Sequence, residues 1–121
     1  MGIDLNSPDG KGSFSITAVE HDDDLMILHM EGKVEGYGLV RLTHAYEHIS
    51  DRSGGTMSGS AEAILEEGDV VSTPHMGTFS RDGSEVKVYC TDFVTNGDLN
   101  FIWFEVDLIG KKAEVNFWTL K

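Results

Sequence analysis

Over residues 13–121, short apolar or alternating runs recur about every 10–15 residues, and Gly, Asp or Asn stands in nearly every gap between them. Successive side chains of a strand point to opposite faces, so runs of this period belong to strands with one buried face. Turn residues between them join neighbouring strands as hairpins. The rhythm predicts an all-β chain, an antiparallel up-and-down β-barrel of about eight strands, with a β-sandwich as the alternative.

A chain of 121 residues supports one core, not two. Residues 1–12 read as a loose lead-in and 13–121 as a single domain. Phe14, Ile16 and Ala18 alternate with Ser13, Ser15 and Thr17 in a first strand, which His21, Asp22, Asp23 and Asp24 break. The apolar run 25–30 is a second strand, turned by Glu31, Gly32 and Lys33. Further strands are expected over 35–47, 55–65, 69–80, 84–94, 99–109 and 112–120. In the last three, Val86, Val88, Cys90 and Val94, then Ile102, Phe104, Val106 and Leu108, then Ala113, Val115 and Phe117 take the inward positions. Residues 38–50 also fit a helical stripe through Leu39, Leu42, Tyr46 and Ile49. Gly36 and Gly38 weaken a helix start, and Ser53, Gly54 and Gly55 suit a hairpin, so a strand is expected there.

The formal charge of −12 argues against nucleic acid, whose phosphates demand clustered Lys and Arg, and against anionic membrane surfaces. Cys90 stands alone and cannot form an internal disulfide. No apolar stretch approaches the ~20 residues of a spanning helix. The first residues lack a basic segment followed by an apolar one, and Met1-Gly2 without a Ser or Thr at position 6 is too little for a myristoylation signal. The expected setting is cytoplasmic.

Some polar residues fall where apolar ones belong. Val40, Leu42, His44 and Tyr46 share the inward face of the third strand, and Val71, Thr73, His75 and Phe79 that of the fifth. Asp92 is in line with Val88 and Cys90 on the sixth. Buried carboxylates and imidazoles are costly unless partnered, so such groups either satisfy one another or orient a ligand. An antiparallel meander places Asp92 near the end where the third strand begins and His44 toward the other end. A direct pair is therefore not expected, whereas His75 at mid-height reaches either. His29, Tyr37 and Asn100 are further polar candidates at the Asp92 end.

No metal site is expected. On a strand, His44 and His48 stand roughly 13 Å apart, too far to share an ion. The acids at 22–24 read as a solvated turn without the spaced ligands of a calcium loop. No cofactor motif is present, and the glycines at 36, 38, 54 and 55 precede no helix that could cradle a phosphate. Cys90 reads as a small buried hydrophobe. Pro74 donates no ladder bond, so Thr73-Pro74-His75 marks an edge, a bulge or a mouth, and a bulge would re-aim His75.

An eight-stranded interior is either just filled by side chains or just able to hold one small ligand. The fourth strand is small on its inward face, with Gly59, Ala61 and Ala63, which favours a cavity. The strand count and hairpin spacing over about 13–120 resemble the calycin superfamily and the allene-oxide-cyclase-like barrels. The Gly-x-Trp of lipocalins is absent, so the resemblance is one of shape and implies no residue roles. Three functions fit. The first is a barrel binding an apolar or amphipathic small molecule at Leu42, His44, Tyr46, His75 and Asp92. The others are an isomerase or cyclase using an interior His as acid and base, and a packed interaction module. The lack of a defensible nucleophile or acid–base pair favours binding and leaves catalysis open.

Outside the barrel, Tyr89 and Phe93, Phe101 and Trp103, and Trp118 and Leu120 meet at one end of the last three strands. A contiguous apolar patch of this kind implies an interface, most simply a two-fold homodimer, unless Ile3 and Leu5 fold back over it.

Overall fold

In the computed structural model, residues 3–121 are described; Met1 and Gly2, where the expected lead-in begins, lie outside them. Eight strands follow one another: β1 (Gly10–Asp22), β2 (Leu25–Val34), β3 (Gly38–His48), β4 (Gly54–Ile64), β5 (Val70–Asp82), β6 (Glu85–Phe93), β7 (Leu99–Asp107) and β8 (Lys112–Thr119). Each pairs antiparallel with its chain neighbour, and β1 pairs with β8, which closes the barrel. That closure excludes the sandwich, whose two sheets would each keep free edges.

Period-two alternation carries directly into burial. On β6, Val86, Val88, Cys90 and Asp92 face inward; on β7, Asn100, Ile102, Phe104 and Val106; on β8, Ala113, Val115 and Phe117. Residues 38–48 form a strand rather than a helix, with Val40, Leu42, His44, Tyr46 and His48 inside. On the apolar run of β2, Met26, Leu28 and Met30 are fully buried, while Leu25, Ile27 and His29 are half-covered on the outer side.

Three local features differ from the sequence pattern. β1 starts at Gly10, and its register against β2 shifts between Ile16 and Ala18. The extra residue Thr17 reverses the alternation, so Ala18 is exposed rather than aligned with Phe14 and Ile16. Second, β2 does not turn at Gly32: the residue pairs with Phe14, and a Cβ there would strike the Ser13 carbonyl and the Phe14 ring. Glycine is present because two strands approach closely with an aromatic ring over the gap. Third, Trp118 points outward but is only 4% exposed. The N-terminal segment lies over it, with the indole Nε1–H donating to the Asp4 carbonyl (2.8 Å). Asp9 clamps the same segment to β8, its N–H donating to the Phe117 carbonyl (2.8 Å) and its Oδ2 accepting from Thr119 N–H (2.7 Å).

The two ends of the interior differ. Toward the β1–β2, β3–β4 and β5–β6 turns the barrel is filled by Met26, Tyr46, Met57 and Phe79 and capped by His48. The His48 Nδ1–H donates to the Asp24 carbonyl (2.8 Å), and its Nε2 accepts from Arg81 (2.8 Å). Toward the β2–β3, β4–β5 and β6–β7 turns, smaller residues line the wall. Leu28→Ala, within the filled half, is expected to cost about 2–5 kcal/mol in urea unfolding, because both transfer energy and a cavity are lost. Val70→Ala, on an exposed position, is expected to stay within about 0.5 kcal/mol.

Candidate functional site

His44 on β3 and His75 on β5 meet across β4, and β4 makes the room. Opposite His44 stands Gly59, where a Cβ would collide with the Thr43 carbonyl and crowd the imidazole (2.9 Å to Cδ2). The His44 Nε2 lies 2.8 Å from His75 Nδ1, and His44 Nδ1 lies 2.9 Å from the Tyr46 hydroxyl. Phe104 packs edge-on against the His44 ring at 5.1 Å between centroids. His75 Nε2 faces Asp92 Oδ2 at 3.7 Å, an ion-pair distance longer than a hydrogen bond. Four groups from three strands thus form one line, Tyr46–His44–His75–Asp92.

The proton positions follow from the partners. With His75 neutral, its Nε2–H faces the Asp92 carboxylate, so its Nδ1 accepts from His44 Nε2–H, and His44 Nδ1 accepts from the Tyr46 hydroxyl. Every donor then points toward Asp92. A second proton on His75 reverses the line: His75 Nδ1–H donates to His44 Nε2, and His44 Nδ1–H donates to the Tyr46 oxygen. His44 itself resists protonation. Complete burial and the neighbouring His75 hold its pKa well below the ordinary 6.5. Burial likewise pushes the Tyr46 hydroxyl far up, and the Cys90 thiol up to about 12, so neither ionises near neutral pH. Cys90 is the inert buried hydrophobe that its alternation implied.

Beyond His75 the interior is not filled. A cavity of about 60 Å³ is lined by Leu42, Ala61, Ala63, Val71 and other apolar side chains, with His75, Asp92 and Asn100 among its polar groups beside Tyr37, Glu62, Ser72 and Thr73. Asp92 Oδ1 accepts from both the backbone N–H (3.1 Å) and the side-chain Nδ2 (3.0 Å) of Asn100. Asn100 Nδ2 also donates to the Tyr37 hydroxyl (3.1 Å), which donates to Asp98 Oδ2 (2.6 Å). Burial and the Asp98 carboxylate push the Tyr37 pKa up, so the phenol stays a donor. The Tyr37 ring packs on Phe117 (5.7 Å) on the rim of the cavity.

Of the five expected ligand residues, Leu42, His75 and Asp92 line the cavity; His44 and Tyr46 lie behind His75 and reach it only through that side chain. His75 sits at mid-height between His44 and Asp92, as the strand arithmetic required. Of the further polar candidates, Tyr37 and Asn100 join the site, but His29 points outward to Thr43 (3.0 Å) and Glu20 (2.8 Å). Asp98, in the β6–β7 turn, has no signal in the sequence that sets it apart, because turn acids are common. Pro74 produces no bulge: β5 keeps one register against both neighbours, and the β5–β6 ladder ends at His75, just short of Pro74. There the Thr73 hydroxyl accepts from Phe93 N–H (3.1 Å) in place of a backbone bond. His44 and His48 bond to separate partners, and Arg52 crosses the acidic turn to Asp24 (3.2 Å). Among the described residues no three potential ligands cluster as a metal site would need.

On the exterior, Tyr89 stacks with Trp103 (5.9 Å) and Phe101 packs on Trp118 (5.6 Å). Tyr89, Phe93 and Leu120 remain exposed, Phe101 and Trp103 are half-buried, and Trp118 is covered as described. The apolar patch is therefore narrower than six exposed residues.

The architecture is thus an all-β, eight-stranded, up-and-down closed barrel with a polar line buried inside it. No family model, curated protein or solved structure matches the chain.

The depressed His44 pKa makes stability depend on pH. Below about 6.5 the unfolded imidazole binds a proton that the folded one refuses, so stability falls as pH falls, by up to about 1.4 kcal/mol per pH unit. Urea midpoints are expected to drop as the pH is lowered from about 7.5 to about 5.5, the window around the ordinary imidazole pKa. His44→Phe is expected to flatten that slope.

Proposed function

We propose that this protein is a small-molecule-binding barrel that takes an apolar or amphipathic ligand into the open half of its interior. The observation that carries the reading is the cavity itself: about 60 Å³ of apolar-walled space ending on His75, Asp92 and Asn100. A packed module would fill such space, since voids larger than a water are few in a close-packed domain. A water needs about 10–15 Å³ by a comparable measure, so the space suits a compact ligand body whose remainder lies between Tyr37 and Phe117 at the mouth. The polar end rests on His75, which His44 and Tyr46 hold in orientation. A place among calycin-like or allene-oxide-cyclase-like barrels belongs to the same proposal and rests on strand number and hairpin order.

A second reading has its own observation. The line from Tyr46 to Asp92 can run in either direction according to the proton count on His75. That is what an isomerase or cyclase would need to take a proton from one ligand atom and return it to another. In that case His75 is the acid–base group and the bound compound turns over.

Binding is tested by a thermal-shift and calorimetric screen of apolar and amphipathic compounds, followed by two variants. Ala63→Phe fills the cavity and is expected to abolish binding. His75→Phe is expected to stay folded, to lose about 1–3 kcal/mol because His44 Nε2–H is stranded, and to bind at least tenfold more weakly. Unchanged affinity in both variants would place the ligand elsewhere. Conversion of a bound compound by the wild type, absent from His75→Phe, would favour the enzyme reading.

We also propose a homodimer, supported by the exterior aromatic residues, in a cytoplasmic setting and, on the formal charge of −12, without nucleic-acid or anionic-membrane partners. The observation that carries the dimer is the stacked Tyr89–Trp103 pair on β6 and β7, with exposed Phe93 further along the outer face of β6. Trp103→Glu is expected to halve the mass measured by light scattering, and a wild type that is monomeric at high micromolar concentration would refute the dimer.

A further inference from the structure

The polar end of the cavity is short of donors. Asp92 commits one oxygen to Asn100, and its Oδ2 has no hydrogen bond within reach, His75 Nε2 being 3.7 Å away. Asn100 is 2% exposed, and its Oδ1 has no partner. Rotating the amide does not cure this. Its oxygen would then face Asp92 Oδ1 and a Tyr37 hydroxyl already committed to Asp98, and two good bonds would be lost. An unpaired buried acceptor costs about 1–3 kcal/mol, and native proteins keep few of them. Asn100 Oδ1 is one such atom, and it and the unbonded Asp92 Oδ2 stand on residues that line the same cavity.

The charge balance points the same way. The acids in the lining are Asp92 and the exposed Glu62, and Asp98 sits behind Tyr37. Among the described residues, no lysine or arginine lines the cavity. Among the described residues, His75 is the one ionisable base that faces Asp92. Outside, a formal charge of −12 raises the local concentration of cations.

We propose that the ligand of this cavity is a protonated primary amine on a compact apolar body. The inference rests on the binding reading above and supplies its ligand class. An ammonium carries donors only, three of them, which is the complement of a site whose lining residues leave Asp92 Oδ2 and Asn100 Oδ1 without a donor. Its charge pairs with Asp92 inside a water-poor space, where charge-assisted bonds are the stronger kind. With His75 neutral, all donors in the buried line still point toward Asp92. An alcohol supplies one donor and no charge. A carboxylate, the head group of a fatty acid, brings a like charge against Asp92 and gives Asn100 Oδ1 nothing to accept.

The test is calorimetry at neutral pH with matched compounds: butylamine, butanol and butanoate, and cyclohexylamine, cyclohexanol and cyclohexanecarboxylate. The amines are expected to bind at least tenfold more tightly than the alcohols, and the carboxylates not at all. Asp92→Asn is expected to weaken the amines at least tenfold and to leave the alcohols within about twofold, as loss of one charge pair would. An alcohol or carboxylate that binds as tightly as its amine overturns the amine assignment, and this comparison uses only the wild-type protein. If that binding is lost in Ala63→Phe, the cavity reading survives. Absence of binding by all six, with the melting temperature unmoved at millimolar concentrations, overturns the cavity reading at the same time.

Discussion

The β1–β8 pairing closes the barrel, and the character of the interior depends on that closure. Once no edge remains, a polar side chain that points inward has no water to turn to along the sheet. It must find a partner from another strand or bear the full cost of desolvation. Tyr46, His44 and His75 do this for one another, and Asp92 does it with Asn100. The contact between His75 and Asp92, longer than a hydrogen bond, is where these two bonded groups meet. His75 therefore separates a packed half of the barrel from an unpacked half.

That division is a matter of side-chain volume. On the packed side, Met26, Tyr46, Met57 and Phe79 project from β2, β3, β4 and β5 into one layer, and the aromatic pairs Tyr46–Phe79 and His48–Phe79 lock at 5.1 Å. On the other side β4 contributes only Ala61 and Ala63, and β5 contributes Val71 and Thr73. A β-barrel of fixed circumference cannot contract locally to absorb the missing volume, so small residues leave space. The electrostatics of that space are set by the same closed wall. Asp92 and Asn100 enter from the paired strands β6 and β7, and among the described residues no basic side chain lines the space. On the outside, the segment at Asp4 and Asp9 covers Trp118 and leaves the neighbouring aromatic strip partly open.

Much of this architecture is legible in the sequence, because period-two alternation is local. It places Leu42, His44 and Tyr46 on one face of β3, Thr73 and His75 on one face of β5, and Asp92 with Cys90, whatever the partners are. Even the relative heights of Asp92, His75 and His44 follow from antiparallel counting. The local pattern misleads where one residue breaks the period or serves a distant neighbour. Thr17 is an extra residue whose effect emerges only against the β2 register, and Gly32 has the look of a turn residue although its role is to make room for Phe14. Trp118 has outward parity in β8 and is nevertheless buried, by residues more than a hundred positions earlier in the chain.

The sequence by itself determined the strands, their inward faces and the small wall of β4, since each depends on the pleat and on side-chain size within a few residues. Tertiary structure decided which inward groups touch. His44 and His75 are 31 residues apart, and whether their nitrogens meet at 2.8 Å or pass each other depends on the β3–β4 and β4–β5 registers and on the space left at Gly59. The orientation of the Asn100 amide, which leaves its Oδ1 unpaired, is likewise set only once Tyr37, from the far side of the closed barrel, has taken its place beside it. Parity is a property of one strand, but satisfaction of a buried polar group is a property of the whole enclosure.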